Sequence, residues 1–513
     1  MVLYPFQKHK STKKVSLMNP EYLNLTDFSF FSDAKEKLTQ LIHRLQSESC
    51  RDSEHGEIEQ TINKEGLEIL RCLLQGWFDL TGENERIQSG IKTSTGKPLN
   101  HVRGETTRTL MSLFGNVTVT RKAYSNRHEV SLFPGDAKLN LSHDKYSDGI
   151  RYRASKEAIR GSFDSTVEVI KETTGGAVPK KQSLNLVRDV AQDFESYYQE
   201  KRFLKPEETD DLLVLTFDGK GIVMRPDSLR ACTKKAAQKS KKLNSRLSQG
   251  EKKDRKRMAQ VAAVYTVQSH TRTAEAIMKT TDDHIVPFRT PVRNKRVWAS
   301  VEREAEKVIE EAFEEALQRD PKQKRQWVIL IDGLPHQIRL IKKVMKRLKV
   351  KATIVMDFIH VLEYLWKAAW CFFNKADEAV ENWIAQRAVN ILKGRGSQVA
   401  KGLRISATKR EITNRENIDK CANYLIKNKE RLQYDQALQL GFPIASGVIE
   451  GACRHLINDR LDITGARWGL KGAESVLKIR SLKSSGDFEH YWKFHKNESK
   501  LRNYDYLYTG KVA

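Results

Sequence analysis

The sequence predicts a multidomain α/β protein, and three observations predict it. The chain has 513 residues, enough for about three domains that each close a core. The unbroken apolar run Leu212-Leu213-Val214-Leu215-Thr216-Phe217 reads as a central strand buried on both faces. Further on, Trp327 to Asp332 reads as a strand, Leu334 to Leu348 as a helix and Ala352 to Met356 as a strand, an order that describes a β-α-β crossover with a parallel pair.

The elements follow in chain order. From Asp33 to about Leu80 the apolar residues Leu38, Leu41, Ile42 and Leu45, then Ile58, Ile62, Ile69, Leu70, Leu73 and Leu74, recur at helical spacing. Thr109 to Tyr124 changes period and reads as a β-hairpin with a Gly115-Asn116 turn. Gly149 to Phe194 reads as three helices, with Ser162 or Asp164 capping the second and Pro179 opening the third. That is helix-turn-helix spacing. The third helix carries Lys180, Lys181, Gln182, Asn185 and Arg188, side chains suited to a major groove. An ordinary three-helix unit with a solvated basic face reads equally well.

Pro206 to Asp210 is a polar hinge, after which α/β character begins. Lys220 to Arg257 holds 14 basic and 3 acidic residues, clustered at Lys234-Lys235, Lys241-Lys242, Lys252-Lys253 and Arg255-Lys256-Arg257. It is either a solvated loop or an arm for phosphate backbones, and the one-signed charge favours the arm. Met258 to Val267 and Arg272 to Met278 are strand candidates, Val297 to Gln318 a long charged helix, Phe358 to Gln439 all helical, and Ser446 to Asp459 one further helix. The expected regions are therefore 1–145, 146–205, 206–374, 375–440, 441–495 and a tail, 496–513.

Lys+Arg 90 against Asp+Glu 65 gives a net charge of +25, which points to a polyanionic partner, nucleic acid first. Hydrophobic residues at 39% exclude wholesale disorder. Every apolar run is broken by charge well short of the ~20 residues of a membrane span. Met1 to Lys10 has no apolar stretch behind its lysines, so no secretion signal and a cytosolic location are expected. The cysteines Cys50, Cys72, Cys232, Cys371, Cys421 and Cys453 lie singly, which argues for reduced thiols rather than a disulfide framework or structural zinc.

Three acids stand out by location. Asp218 and Asp332 close apolar strands and are each followed by glycine; Glu450 lies on a helix opened by Ala445-Ser446-Gly447. The carboxyl ends of strands are where ligands gather in open α/β sheets. Converging carboxylates call for divalent cations, and oxygen ligands suit Mg2+ or Mn2+. Two such ions, about 3.5–4 Å apart, would serve an in-line phosphoryl transfer. For either aspartate alone, an Asp-Gly turn at a strand end is the plainer reading. Asp357 and His360 share one helix face, as a capping pair, a pair beside a metal site, or both. Arg454 and Arg460, then Arg467 and Trp468, follow Glu450. They could clamp phosphates and stack a base, or Arg454 could simply pair with Glu450.

Phe217-Asp218-Gly219-Lys220-Gly221, Ile331-Asp332-Gly333, the run Asp357 to Trp366, Gly447-Val448-Ile449-Glu450-Gly451, Asp459-Arg460, Thr464-Gly465-Ala466-Arg467-Trp468 and the run Ser485 to Trp492 together resemble bacterial insertion-sequence transposases of the ISKra group. The resemblance implies a Mutator-like DDE transposase. Its ribonuclease H-like core would be a mixed sheet with an all-helical insertion at 375–440, preceded by an α+β region and a helix-turn-helix. It implies Asp218, Asp332 and Glu450 as catalytic residues and as ligands of two Mg2+ or Mn2+ ions. Because the family's Cys/Asp-x-x-His motif follows the second catalytic acid by one helix and one strand, Asp357-x-x-His360, starting 25 positions after Asp332, assigns Asp332 rather than Asp357 as that ligand. The implied partners are double-stranded DNA, as terminal inverted repeats and target, and a second copy of the chain, at least a dimer on paired ends. A bacterial, nucleoid-associated cytoplasmic location and no membrane follow. A catalytically silent DNA-binding repressor or domesticated transposase, and a two-metal nuclease without strand joining, are the competing functions.

Overall fold

The computed structural model describes residues 29–201, 206–239, 255–278, 290–374, 376–463 and 465–505. Lys241, Lys242, Lys252, Lys253, Thr464, the first 28 residues and the end of the tail lie outside these. The chain divides into two compact units. One draws on Met1–Ser147, Thr174–Ala177 and Asn503–Ala513, the other on Asp148–Thr173 and Val178–Arg502.

In the first unit α1 (Ser32–Gln46), α2 (Glu48–Arg51) and α3 (His55–Glu83) precede an antiparallel ribbon of β1 (His101–Ser112) and β2 (Gly115–Ser125), then α4 (Pro134–Lys138). Phe78 of α3 packs with Leu110, Val117 and Val119, the inward residues of the ribbon. The hairpin turn is Leu113-Phe114 rather than Gly115-Asn116, because Ser112 pairs with Gly115 across it. The Ser112 hydroxyl closes the turn, donating to the Gly115 carbonyl at 2.8 Å and accepting from the Phe114 N–H at 3.1 Å. Gly115 opens β2 at φ +128°, where a side chain would be strained.

The second unit begins with α5 (Asp148–Arg160), α6 (Phe163–Thr173), α7 (Lys180–Val190) and α8 (Phe194–Lys201). The Ser162 hydroxyl, not Asp164, caps α6 by accepting from the Ser165 N–H at 3.0 Å. Then come β3 (Leu212–Val223), α9 (Ala231–Lys239), β4 (Lys256–Val267), α10 (Ala274–Met278), β5 (Val292–Ser300), α11 (Ala305–Arg319), β6 (Trp327–Ile331), α12 (Pro335–Leu348) and β7 (Thr353–Met356). The helical stretch is α13 (Phe358–Ala369), α14 (Ala379–Leu392), α15 (Gly396–Lys409), α16 (Glu416–Lys427) and α17 (Tyr434–Gln439). The unit closes with α18 (Gly447–Ala452), α19 (Asp459–Leu461), α20 (Leu470–Ser485) and α21 (Phe488–Lys500).

The strands form one mixed sheet in the order β5-β4-β3-β6-β7. β5, β4 and β3 run antiparallel, while β6 and β7 run parallel to β3. The continuous apolar run of β3 is buried residue by residue, as a strand covered on both faces must be. Val187 and Val190 of α7 and Tyr198 of α8 belong to the same buried cluster as Leu213 of β3, so the three-helix segment shares a core with the sheet.

Three expected elements differ. β3 does not end at Asp218: it continues to Val223 as a hairpin arm against β4, and only its parallel pairing with β6 stops, at Thr216. Val297 to Ser300 is strand, not helix, because its apolar residues pair with β4; the helical pattern starts at Ala305. Arg272 to Met278 forms the short helix α10 rather than a strand, with the Thr273 hydroxyl accepting from the Ala276 N–H at 3.2 Å.

Candidate active site

The end of the β3·β6·β7 ladder opens into a cleft of about 340 Å³. Its lining includes Asp218, Lys220, Asp332, Asp357, His360, Glu363, Glu450, Cys453 and Asn458. Asp218 sits where β3 has parted from β6 but still pairs with Val261 of β4. Asp332 follows the last residue of β6, and Gly333 then turns the chain at φ +95°. Glu450 stands in the first turn of α18, whose N-cap Ser446 accepts from the Ile449 N–H at 3.3 Å. Two larger hollows offer less. One of about 470 Å³ has a single acid, Glu85; in the other, about 680 Å³, Glu207 and Glu315 are ion-paired to arginines.

Each carboxylate of the cleft is held differently. One Asp218 oxygen accepts from the Gly219 N–H at 2.6 Å, and the other lies 3.0 Å from the Cys453 thiol, which donates to it. Burial pushes that thiol well above its ordinary range, and the negative charge of Asp218 adds to the shift. Asp332 accepts from the Leu334 N–H at 3.3 Å through Oδ1 and from its own backbone N–H. Burial raises the Asp332 carboxyl and the Asp218 charge adds to it, while the Leu334 N–H and His360 pull the other way. Glu450 is the most open of the three. Partial burial raises it, with the charges of Asp357, Glu363 and Asp218 adding to the effect and His360 opposing it.

Asp357 is built as a clamp. It is 3% exposed, its Oδ1 accepts from Ile359 N at 2.9 Å to cap α13, and its Oδ2 accepts from Ser446 N at 2.9 Å. It thereby ties the end of β7 to the start of the Glu450 helix. Burial still raises its pKa despite the two N–H donors. His360 lies one turn along, 3.9 Å from Glu363.

The basic and aromatic residues expected to meet DNA divide in two. Lys180, Lys181, Gln182, Asn185 and Arg188 are exposed along α7, as are Lys234 and Lys235 on α9, Arg454 and Arg467. Lys180 pairs with Asp164 at 2.6 Å. Arg454 approaches Asp459 at 3.8 Å instead of Glu450. The others are engaged in the fold. Arg460 is 3% exposed, donates to the Ala158 carbonyl at 3.3 Å and lies over the Phe163 and Trp468 rings; burial lowers its pKa to about 10. The Trp468 ring is buried and its N–H donates to the Leu461 carbonyl at 3.1 Å, so it has no face free for a base. Lys256 pairs with Asp462 at 3.1 Å, and Arg257 donates to the Val301 carbonyl at 2.7 Å. Arg255 is half-buried.

Sequence reasoning missed three residues. Cys453 was signalled by its place three residues after Glu450, on the same helical face. Tyr424 of α16, whose hydroxyl donates to the Asp332 carbonyl at 3.1 Å, carried no local signal. Asn458 closes a π-helical turn, Cys453–Asn458, that continues the Glu450 helix; such widened turns are frequent at functional sites.

Among the described residues no group of three or more His, Cys, Asp or Glu side chains is drawn together to hold a metal ion. All six cysteines are free, and three of them, Cys72, Cys421 and Cys453, are buried. No family model matches the chain, and no curated protein matches it.

Proposed function

We propose that the chain is a DDE transposase that cuts DNA at element ends and joins the freed strands to a target. The observation that carries this reading is that Asp218, Asp332 and Glu450, from three distant parts of the sequence, line one cleft at the end of the sheet. The strand order supports a ribonuclease H-like core, since an antiparallel meander is continued by two parallel strands. The net charge of +25 suits a polyanionic substrate.

The donors suit hard divalent cations. All three are carboxylates, and burial with neighbouring negative charge raises Asp332 and Glu450, a strain that a bound cation would relieve. Asp218, Asp332 and Glu450 would hold two Mg2+ or Mn2+ ions, which when bound supply Lewis acidity at a phosphate and a lowered pKa for an attacking hydroxyl. Lys220 and His360 line the same cleft and offer cationic or hydrogen-bonding contacts to phosphate oxygens. Asp357 keeps β7 and the Glu450 helix in register.

The test is cleavage of a linear duplex bearing the element's own flanking repeat, with and without Mg2+ or Mn2+. Wild type should cut only with the cation and join labelled 3′ ends to a second duplex. Asp218→Asn and Asp332→Ala should each lose more than about a hundredfold in rate, beyond the usual cost of losing an outer-sphere group. Cutting without any divalent cation, or at full rate by Asp218→Asn, would refute the assignment. Cutting without joining would make the protein a nuclease.

A further inference from the structure

The segment from Pro335 to Lys351, which is α12 and the turn into β7, holds seven Lys and Arg and no Asp or Glu. Its apolar side, Ile338, Ile341 and Val344, is buried in the core of the second unit. At about 100° per residue, Arg339, Lys342 and Lys346 fall within roughly 60° of one another on the opposite side, and all three are exposed. Lys343 and Arg347 turn toward α11, where Glu306 and Glu310 pair with them at 2.9–3.4 Å. Among the described residues nothing pairs with the side chains of Arg339, Lys342 or Lys346. Lys349 and Lys351, also exposed, prolong the same charge beyond the helix.

We infer that this ridge is a rail for the phosphate backbone of duplex DNA leading into the cleft. Neighbouring cations three or four residues apart stand about 5–6 Å from each other, close enough for each to meet its own phosphate along a strand. The helix starts three residues after Asp332, so a backbone tracked by the ridge is delivered to the acidic cleft. A membrane surface is disfavoured because the apolar face that would enter lipid is already buried. An acidic peptide is disfavoured because the ridge is the outer face of a single helix, which offers charge without a surrounding wall. The inference rests on the DNA-processing reading only for where the duplex leads; the phosphate contact stands on charge and geometry.

The test is duplex binding by the full chain across 50–200 mM salt without divalent cation. It compares wild type, Arg339→Gln/Lys342→Gln/Lys346→Gln, and a charge-matched control, Lys401→Gln/Lys409→Gln/Lys427→Gln, whose three lysines are exposed on the helical stretch. Losing three phosphate contacts should reduce the slope of log affinity against log salt by about 2.7, so that the fourfold rise in salt costs the ridge variant about 40-fold less affinity than wild type. The control should keep the wild-type slope. A ridge variant with the wild-type slope, a control that loses as much, or a wild type that binds no duplex would each overturn the rail. Wild type that binds with the expected slopes but never cuts would leave the rail standing and remove the catalytic reading. Cutting with unchanged slopes would do the reverse.

Discussion

Asp332 and Asp357 both follow parallel strands and both lose solvent, yet they are held in opposite ways. Asp357 spends both oxygens on backbone N–H groups, at Ile359 and Ser446. Asp332 has only local donors among the described residues, the Leu334 N–H at Oδ1 and its own backbone N–H, and ties no second element. A carboxylate already committed on both sides is a structural member, whereas one with lone pairs facing a cleft is available to a ligand. This difference has a consequence measurable without DNA or metal. Asp357→Ala should lower unfolding free energy by about 2–4 kcal/mol, through a lost helix cap and a buried N–H left unpaired at Ser446. Asp332→Ala should change it by less than about 1 kcal/mol, because it removes a carboxyl that burial already disfavours. Urea unfolding of the two variants checks this, and equal losses would erase the distinction.

At the scale of elements, β5 shows how a sheet edge is finished. The outward N–H groups of its Val297 and Ala299, and of Val301 just past its end, meet no further strand among the described residues. Ser485, Ser481 and Glu474 of α20 accept from them at 3.0, 3.4 and 2.9 Å. The helix thus presents a row of acceptors at the spacing of a strand, covering an edge that would otherwise invite pairing with another chain. Glu474 also accepts from Glu302 N and from the Ser300 hydroxyl. Glu474→Ala should therefore cost about 3–5 kcal/mol, and Ser481→Ala about 1 kcal/mol. Hydrogen exchange should quicken at Val301 and Glu302 in the first variant and at Ala299 in the second; unchanged exchange at those amides would contradict the edge role. This edge also explains what was legible in the sequence. The buried runs of β3 and β6 announce themselves as unbroken apolar stretches, with Asp218 and Asp332 just past them, and Glu450 stands in the first turn of a helix opened by small residues. β5 opens with charged residues, and its continuation runs directly into a helix, so periodicity merges the two. Arg460 and Trp468 look like ligand groups in one dimension, and only packing shows them buried. The Tyr424 contact to Asp332 joins residues from two distant segments and has no one-dimensional trace.

Across the whole second unit, charge is distributed by role. Among the described residues the cleft end of the sheet gathers acids without arginine partners, while the opposite end, where β3 and β6 begin, carries a buried ion network. There Arg325 pairs with Glu207 at 2.8 Å and donates to the carbonyls of Asp211 and Leu212, and Arg319 reaches Glu207 at 3.5 Å. Glu315 of α11 joins Arg319 at 2.7 Å and also pairs with Arg296 of β5. Burial alone would raise the Glu315 carboxyl, but the guanidinium groups of Arg296 and Arg319 outweigh it and hold its pKa at about 2. The folded value thus lies below the ordinary 4.5. Its stabilisation is therefore fully present above about pH 4.5 and is lost as the pH falls toward 2. Glu315→Gln keeps the shape and removes the charge. Wild type should exceed it by about 3 kcal/mol at pH 7, and by less than half of that at pH 3, where the unfolded chain has taken up the Glu315 proton while the folded carboxylate is still mostly ionised. Chemical unfolding of both proteins at the two pH values gives the comparison. An advantage that stays constant between pH 7 and pH 3 would show that the stability at this site comes from packing rather than from the charge pair.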